Sequence, residues 1–189
     1  MSFINYAKLP FSFHDGWDEL GAARPSLLKT FLLLVLPFSL IPPAMLIYAG
    51  GHHASLYLLE APSGRWQVVA SVFLIAELLT VPLMSWVVKT VASAHKIPAE
   101  DKETFLLAGV TAVPMWLSSL GLAIPSMWAM IGLIMLGLFL SASVLYHGAY
   151  SLLKMKDKVE AQALSFEVFS TGALVWALLC AFVVLPLVN

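Results

Sequence analysis

The sequence predicts an all-α fold: a polytopic membrane bundle of five transmembrane helices, with the N-terminus in and the C-terminus out. Three observations lead there. Apolar stretches occupy residues 27–49, 67–94, 105–124, 127–150 and 166–188, each near or above the ~20 residues a helix needs to cross ~30 Å of hydrocarbon. The chain is 60% hydrophobic and 11% charged, with a mean hydropathy of +0.90, too apolar for an ordinary soluble domain of this size. Nine of the ten Lys and Arg residues fall in alternate gaps between the stretches, and only Arg65 falls in the others. Basic residues are retained on the cytoplasmic side, so the sorting sets the orientation. The net charge of −1 conceals this sorting and gives no basic surface for nucleic acid.

Residues 1–26 form a short arm expected to be cytoplasmic or interfacial. Phe3, Ile4, Tyr6, Leu9, Phe11, Phe13 and Trp17 surround Lys8, His14 and Asp15, while Pro10 and Gly16 interrupt any long helix. Such rings suit the headgroup region of a leaflet. They suit equally a tail packed on the protein's own face, and both readings stand. Acidic Asp15, Asp18 and Glu19 precede a first apolar stretch longer than a signal-peptide core, so that stretch is expected to remain as a span.

The first span carries Pro37 and the pair Pro42-Pro43. Each lacks a backbone donor and clashes with the preceding turn, which predicts a bend or break in its outer half. The exit loop holds His52 and His53; adjacent histidines bind a metal only with ligands from elsewhere, so a solvent-facing pair and no metal site are expected.

Glu77 is the outstanding residue inside a span. A carboxyl group well inside the second apolar stretch must face the bundle, face a wet cavity or hold its proton. Thr80 and Ser85 supply nearby hydroxyls, and Pro82, expected to bend this helix, leaves the carbonyl four residues earlier without its usual donor. These three polar residues make the candidate intramembrane site. One reading is a proton or cation relay; the preferred one is an acid hydrogen-bonded across the bundle.

Glu100, Asp101 and Glu103 open the third helix, where acids compensate exposed amide donors. Pro114 is expected to bend that helix, and Pro125 to sit in the first turn of the fourth. The connection between them is so short that the two spans must be antiparallel neighbours. Trp128 and Trp66 are placed at the outer interface as an aromatic belt. Gly132, Gly137 and Ser141 put small residues along the fourth span, with Gly137-x-x-x-Ser141 the candidate for a close helix crossing. Near its inner end, His147 lies between Tyr146 and Tyr150 without a second axial ligand for haem. Lys154, Lys156 and Lys158 follow, a candidate contact for anionic lipid. Cys180, the only cysteine, excludes an intramolecular disulfide and is expected to be a small buried side chain.

No phosphate-binding glycine loop, nucleophile elbow or H-E-x-x-H arrangement occurs in the chain. Neither an enzyme nor a cofactor is expected.

Pro37 in the first span, Val113-Pro114 in the third, Ile124-Pro125 with Trp128 at the next turn, and Leu145-Tyr146 followed by Gly148 form an ordered set. With it, residues 25–184 resemble the bacterial branch of the Yip-domain family, five-span membrane proteins related to eukaryotic Golgi and vesicle-transport factors. The resemblance implies a single Yip-like membrane domain over 1–189, a cytoplasmic N-terminal region and an outward C-terminus. It implies no catalytic residues and no cofactor. The small-GTPase partners of the eukaryotic relatives use longer cytoplasmic regions than this arm and are not carried over. The expected role is interaction or membrane organisation in a bacterial inner membrane, as part of a larger complex. The expected partners are lipids and another membrane protein or a second copy. The alternative is a small transporter or channel with Glu77 on a polar path.

Overall fold

A computed structural model of the chain describes residues 9–14, 16–57 and 61–188; residues 1–8 and Asp15 of the arm lie outside the described residues. Helix α1 (Trp17–Ala23) is short. Five helices of membrane-spanning length follow: α2 (Leu27–His52), α3 (Ser63–Ala94), α4 (Asp101–Ala123, its last turn a 3-10 helix), α5 (Met127–Leu152) and α6 (Lys158–Val188). No strand occurs among the described residues.

Three helices begin before the apolar stretches do, extended by polar residues that in α4 and α6 are capped by acidic side chains. At α4 the Glu103 carboxylate accepts the Glu100 backbone N–H at 3.3 Å in a capping box, which satisfies donors that the helix itself leaves open. The 32 residues of α3 extend about 48 Å at 1.5 Å per residue, well beyond the hydrocarbon thickness.

Helix α2 is irregular from its first half to its middle, earlier along the span than the outer-half bend expected from its prolines. A π-helical stretch covers Phe31–Val35, Pro37 stands in the first turn of the next segment (Leu36–Ser39), and Pro42 and Pro43 open the last one (Ile41–His52). Prolines are tolerated there because the first turn of a helical segment needs no donor from them. Helices α3 and α4 run without interruption through Pro82 and Pro114. Pro125 stands before the first turn of α5, not within it: Ser126 is the cap, its hydroxyl accepting the Ala129 N–H at 3.3 Å.

Helix α3 is central, packed against α2, α4 and α6, while α5 packs against α4 and α6. Polar contacts tie these helices at the end where most basic residues gather. The Ser85 and Thr104 hydroxyls are 3.0 Å apart between α3 and α4, Lys89 Nζ lies 2.5 Å from Asp101 Oδ1, and His95 Nε2 lies 3.1 Å from Glu167 Oε1 on α6. At the opposite end the Arg65 guanidinium donates to the Pro186 carbonyl at 3.3 Å. Trp66 is buried there against Val183 and Leu187, a correction to the belt position expected for it. The ring fits because Gly50 leaves room: a Cβ at residue 50 would come within 2.4 Å of it. Trp128 does project outward, 83% exposed.

The described part of the arm packs on the basic end. Trp17 is fully buried, and its indole N–H donates to the Leu9 carbonyl at 3.0 Å. Phe13 lies against Tyr146, His147 and Tyr150 of α5. The Ser143 and Ser151 hydroxyls donate to the Pro10 and Phe13 carbonyls. Away from these contacts Leu33, Leu79, Phe139 and Leu178 face outward, the apolar exterior that a lipid solvent requires.

Candidate functional site

Glu77 lies near the middle of α3, on the face turned into the bundle. It is 8% exposed and lines a cavity of about 440 Å³ to which α2 through α6 all contribute. The walls are mostly apolar, including Leu46, Phe73, Met84, Leu138, Phe169 and Trp176. Polar groups reach the same cavity from several helices: Thr80 of α3, Thr111, Ser118 and Ser119 of α4, Ser141 of α5 and Cys180 of α6. Trp116 of α4 lines the same cavity.

The hydroxyls divide into two kinds. Those of Thr80, Ser118 and Ser119 donate to carbonyls of their own helices, at 2.8 Å to Ala76, 2.7 Å to Met115 and 2.6 Å to Trp116. Such a bond satisfies the donor locally. Glu77 Oε2, Thr111 Oγ1 and Ser141 Oγ are buried without any hydrogen-bond partner. Leaving a buried polar atom unpaired costs roughly 1–3 kcal/mol each, so three around one cavity mark it as a place with unused hydrogen-bonding capacity.

Of the residues singled out with Glu77, Thr80 shares its cavity and Ser85 does not. Ser85 sits two turns further along α3 and points at Thr104, whose hydroxyl donates to the Asp101 carbonyl at 3.2 Å. Thr111, Ser141 and Trp116 were not placed with Glu77 from sequence. Their spacing along α4 and α5 carries no information about how those helices are rotated against α3.

The small residues of α5 also separate. A Cβ on Gly137 would fall 2.8 Å from Ser118 Cβ and 3.1 Å from the Pro114 carbonyl oxygen, so α4 and α5 approach closely here, and Ser141 is buried one turn on. Gly132 differs: a Cβ there would meet nothing within 4 Å. Five positions at about 100° each turn it well away from the Gly137 face, so it takes no part in packing within the chain.

At the basic end the three lysines do not form one patch. Lys158 Nζ lies 4.5 Å from the Phe13 ring centroid, Lys156 is exposed, and Lys154 lines a second cavity, of about 330 Å³, with Arg24, Lys102, Glu100 and Glu103. Arg24 and Lys154 both have left-handed backbones, φ 34° and 53°, a conformation common just after a helix but usually taken by Gly or Asn. His147 Nδ1 contacts the Ser143 carbonyl at 2.7 Å. His52 stacks on Tyr48 with centroids 4.3 Å apart. Among the described residues no three His, Cys, Asp or Glu side chains converge on a metal-sized site.

Comparison with known proteins agrees with this architecture. The Yip1 domain matches residues 8–179 of the chain, which takes in part of the arm and at least the larger part of every span. No curated protein and no solved structure matches.

Proposed function

We infer the role of this chain from one premise: it belongs to the Yip1 domain family. It is a non-catalytic membrane protein that organises membrane or joins a larger assembly, and its partners are lipids and another membrane protein or a second copy. The chain forms a single domain over 1–189, with residues 1–26 as its arm. The charge sorting supports an orientation with the arm and the Lys154, Lys156 and Lys158 loop in the cytoplasm. A bacterial inner membrane is the location that fits. The family match carries this reading; the apolar walls around Glu77 support it, since a conducting path needs polar lining along its length. Native mass measurement of the protein extracted in mild detergent tests it. A persistent oligomer or bound membrane protein is expected, and a strictly monomeric, partner-free protein in native lipid extracts overturns it.

One observation favours a second reading, a small transporter with Glu77 on its path. The cavity gathers polar groups from four spans around that carboxyl group. Proton-driven uptake into sealed vesicles would then be lost in a folded Glu77→Gln variant.

A further inference from the structure

We propose that the Glu77 cavity binds an uncharged membrane lipid bearing a hydroxyl headgroup, a lipid alcohol such as a diacylglycerol or a long-chain alcohol. The proposal goes beyond the interaction role and does not depend on any protein partner. Four features carry it.

The cavity's volume of about 440 Å³ lies within the roughly 300–1,000 Å³ of small-molecule sites, which are mostly apolar with a few fixed polar groups. Its walls select an apolar chain. Its polar groups then select the head. Glu77 Oε2, Thr111 Oγ1 and Ser141 Oγ are all buried and unpartnered, and Glu77 and Ser141 are 8% and 3% exposed. A hydroxyl can donate to one of these and accept from another, which repairs the deficit that each leaves.

Depth excludes the common alternatives. Glu77 is 14 residues from the start of α3 and 17 from its end, about 21 and 26 Å along the axis. A phosphate or ammonium head at that depth bears the full cost of a charge in hydrocarbon, whereas a hydroxyl does not. Access comes from the lipid-facing side, because Val184 of α6, 45% exposed, belongs to the cavity lining. Ala173, Trp176 and Cys180 of the same helix are partly exposed as well.

The test uses the full chain in nanodiscs of phosphatidylglycerol and phosphatidylethanolamine, with a photoactivatable diacylglycerol as probe. Labelling is expected on α6 residues that line the cavity, competed by dioleoylglycerol and not by added phosphatidylglycerol. Ala173→Leu, which narrows the cavity beside α6, is expected to weaken the competable labelling while the protein melts at or above the wild-type temperature. Thr111→Val with Ser141→Ala keeps shape and removes both hydroxyls; it should weaken dioleoylglycerol competition by roughly two- to tenfold per hydroxyl. Labelling spread over outward positions such as Leu178, or equal competition by phosphatidylglycerol, overturns the proposal. So does a double variant whose competition curve superimposes on that of the wild type. That last comparison decides the matter even if Ala173→Leu fails to fold.

Discussion

At the scale of single residues, the cost of a change depends on what its atoms face. Glu77 is buried among the polar groups of its cavity, and a structural role for its carboxyl group predicts that Glu77→Leu, which leaves those groups facing an apolar side chain, loses roughly 1–3 kcal/mol. Glu77→Gln keeps an acceptor of the same shape and is expected to melt close to wild type. Thermal unfolding of both in one detergent checks this, and a Leu variant as stable as wild type removes the structural role from Glu77. Glycines obey the same logic. A Cβ on Gly148 would lie 2.5 Å from both Leu107 Cδ1 and Trp17 Cη2, and these are fully buried side chains without room to retreat. Gly148→Ala should therefore destabilise by about 1–3 kcal/mol through overpacking. Gly132→Ala, with open space around it, should be neutral or gain up to about 1 kcal/mol from helix propensity. Equal melting temperatures for the two variants would contradict the packing described. Glu77 itself was legible in the sequence because a lone acid in an apolar run has few explanations. Its companions Thr111 and Ser141 were not, since a hydroxyl in a membrane helix is satisfied as readily by its own backbone as by a neighbour.

At the scale of elements, positions set by local chemistry were readable and positions set by packing were not. Acids at the start of α4 and prolines in α2 act within a few residues of themselves, and the capping box and the interrupted helix lie where those residues stand. Trp66 reads as an interfacial ring from its place near the start of α3, but Gly50 on α2 opens a slot that draws it inside. Nothing in the linear order of the two helices gives their rotation. The arm shows the same limit: its aromatic residues suit a leaflet or a protein face alike, and Trp17 closes onto α5 because Gly148 lets it approach. Trp17 is the arm's one large side chain that is fully buried. Trp17→Ala should cost about 3–5 kcal/mol, the range for large aromatics removed from a core. It should also make residues 9–14 more accessible to added protease while α2 through α6 remain intact. An arm that stays resistant in this variant would mean that the Phe13, Pro10 and Ser143 contacts suffice without the indole.

At the scale of the whole molecule, five spans were legible because the cost of hydrocarbon exposure is summed over some twenty residues and drowns local exceptions. Orientation rests on charge alone. Lys89, Lys96, Lys102, Lys154, Lys156 and Lys158 stand at one end of the bundle and Arg65 at the other, and each basic residue resists transfer across the bilayer. Cys180 makes this testable, since Cys180→Ser removes the only thiol. Ser55 lies in the turn after α2 and Ser93 near the end of α3, at opposite ends of the bundle; both are exposed, and each tolerates a near-isosteric thiol. In intact cells a membrane-impermeant maleimide should label Cys180→Ser/Ser55→Cys and leave Cys180→Ser/Ser93→Cys unlabelled until the membrane is permeabilised. Adding lysines to the turn after α2, for example Gly51→Lys with Ser55→Lys, should weaken the bias and yield a mixed population. Labelling of the Ser93→Cys protein in sealed cells, with the Ser55→Cys protein protected, would reverse the orientation. It would also place the basic loop, the arm and the Lys154 cavity on the outside.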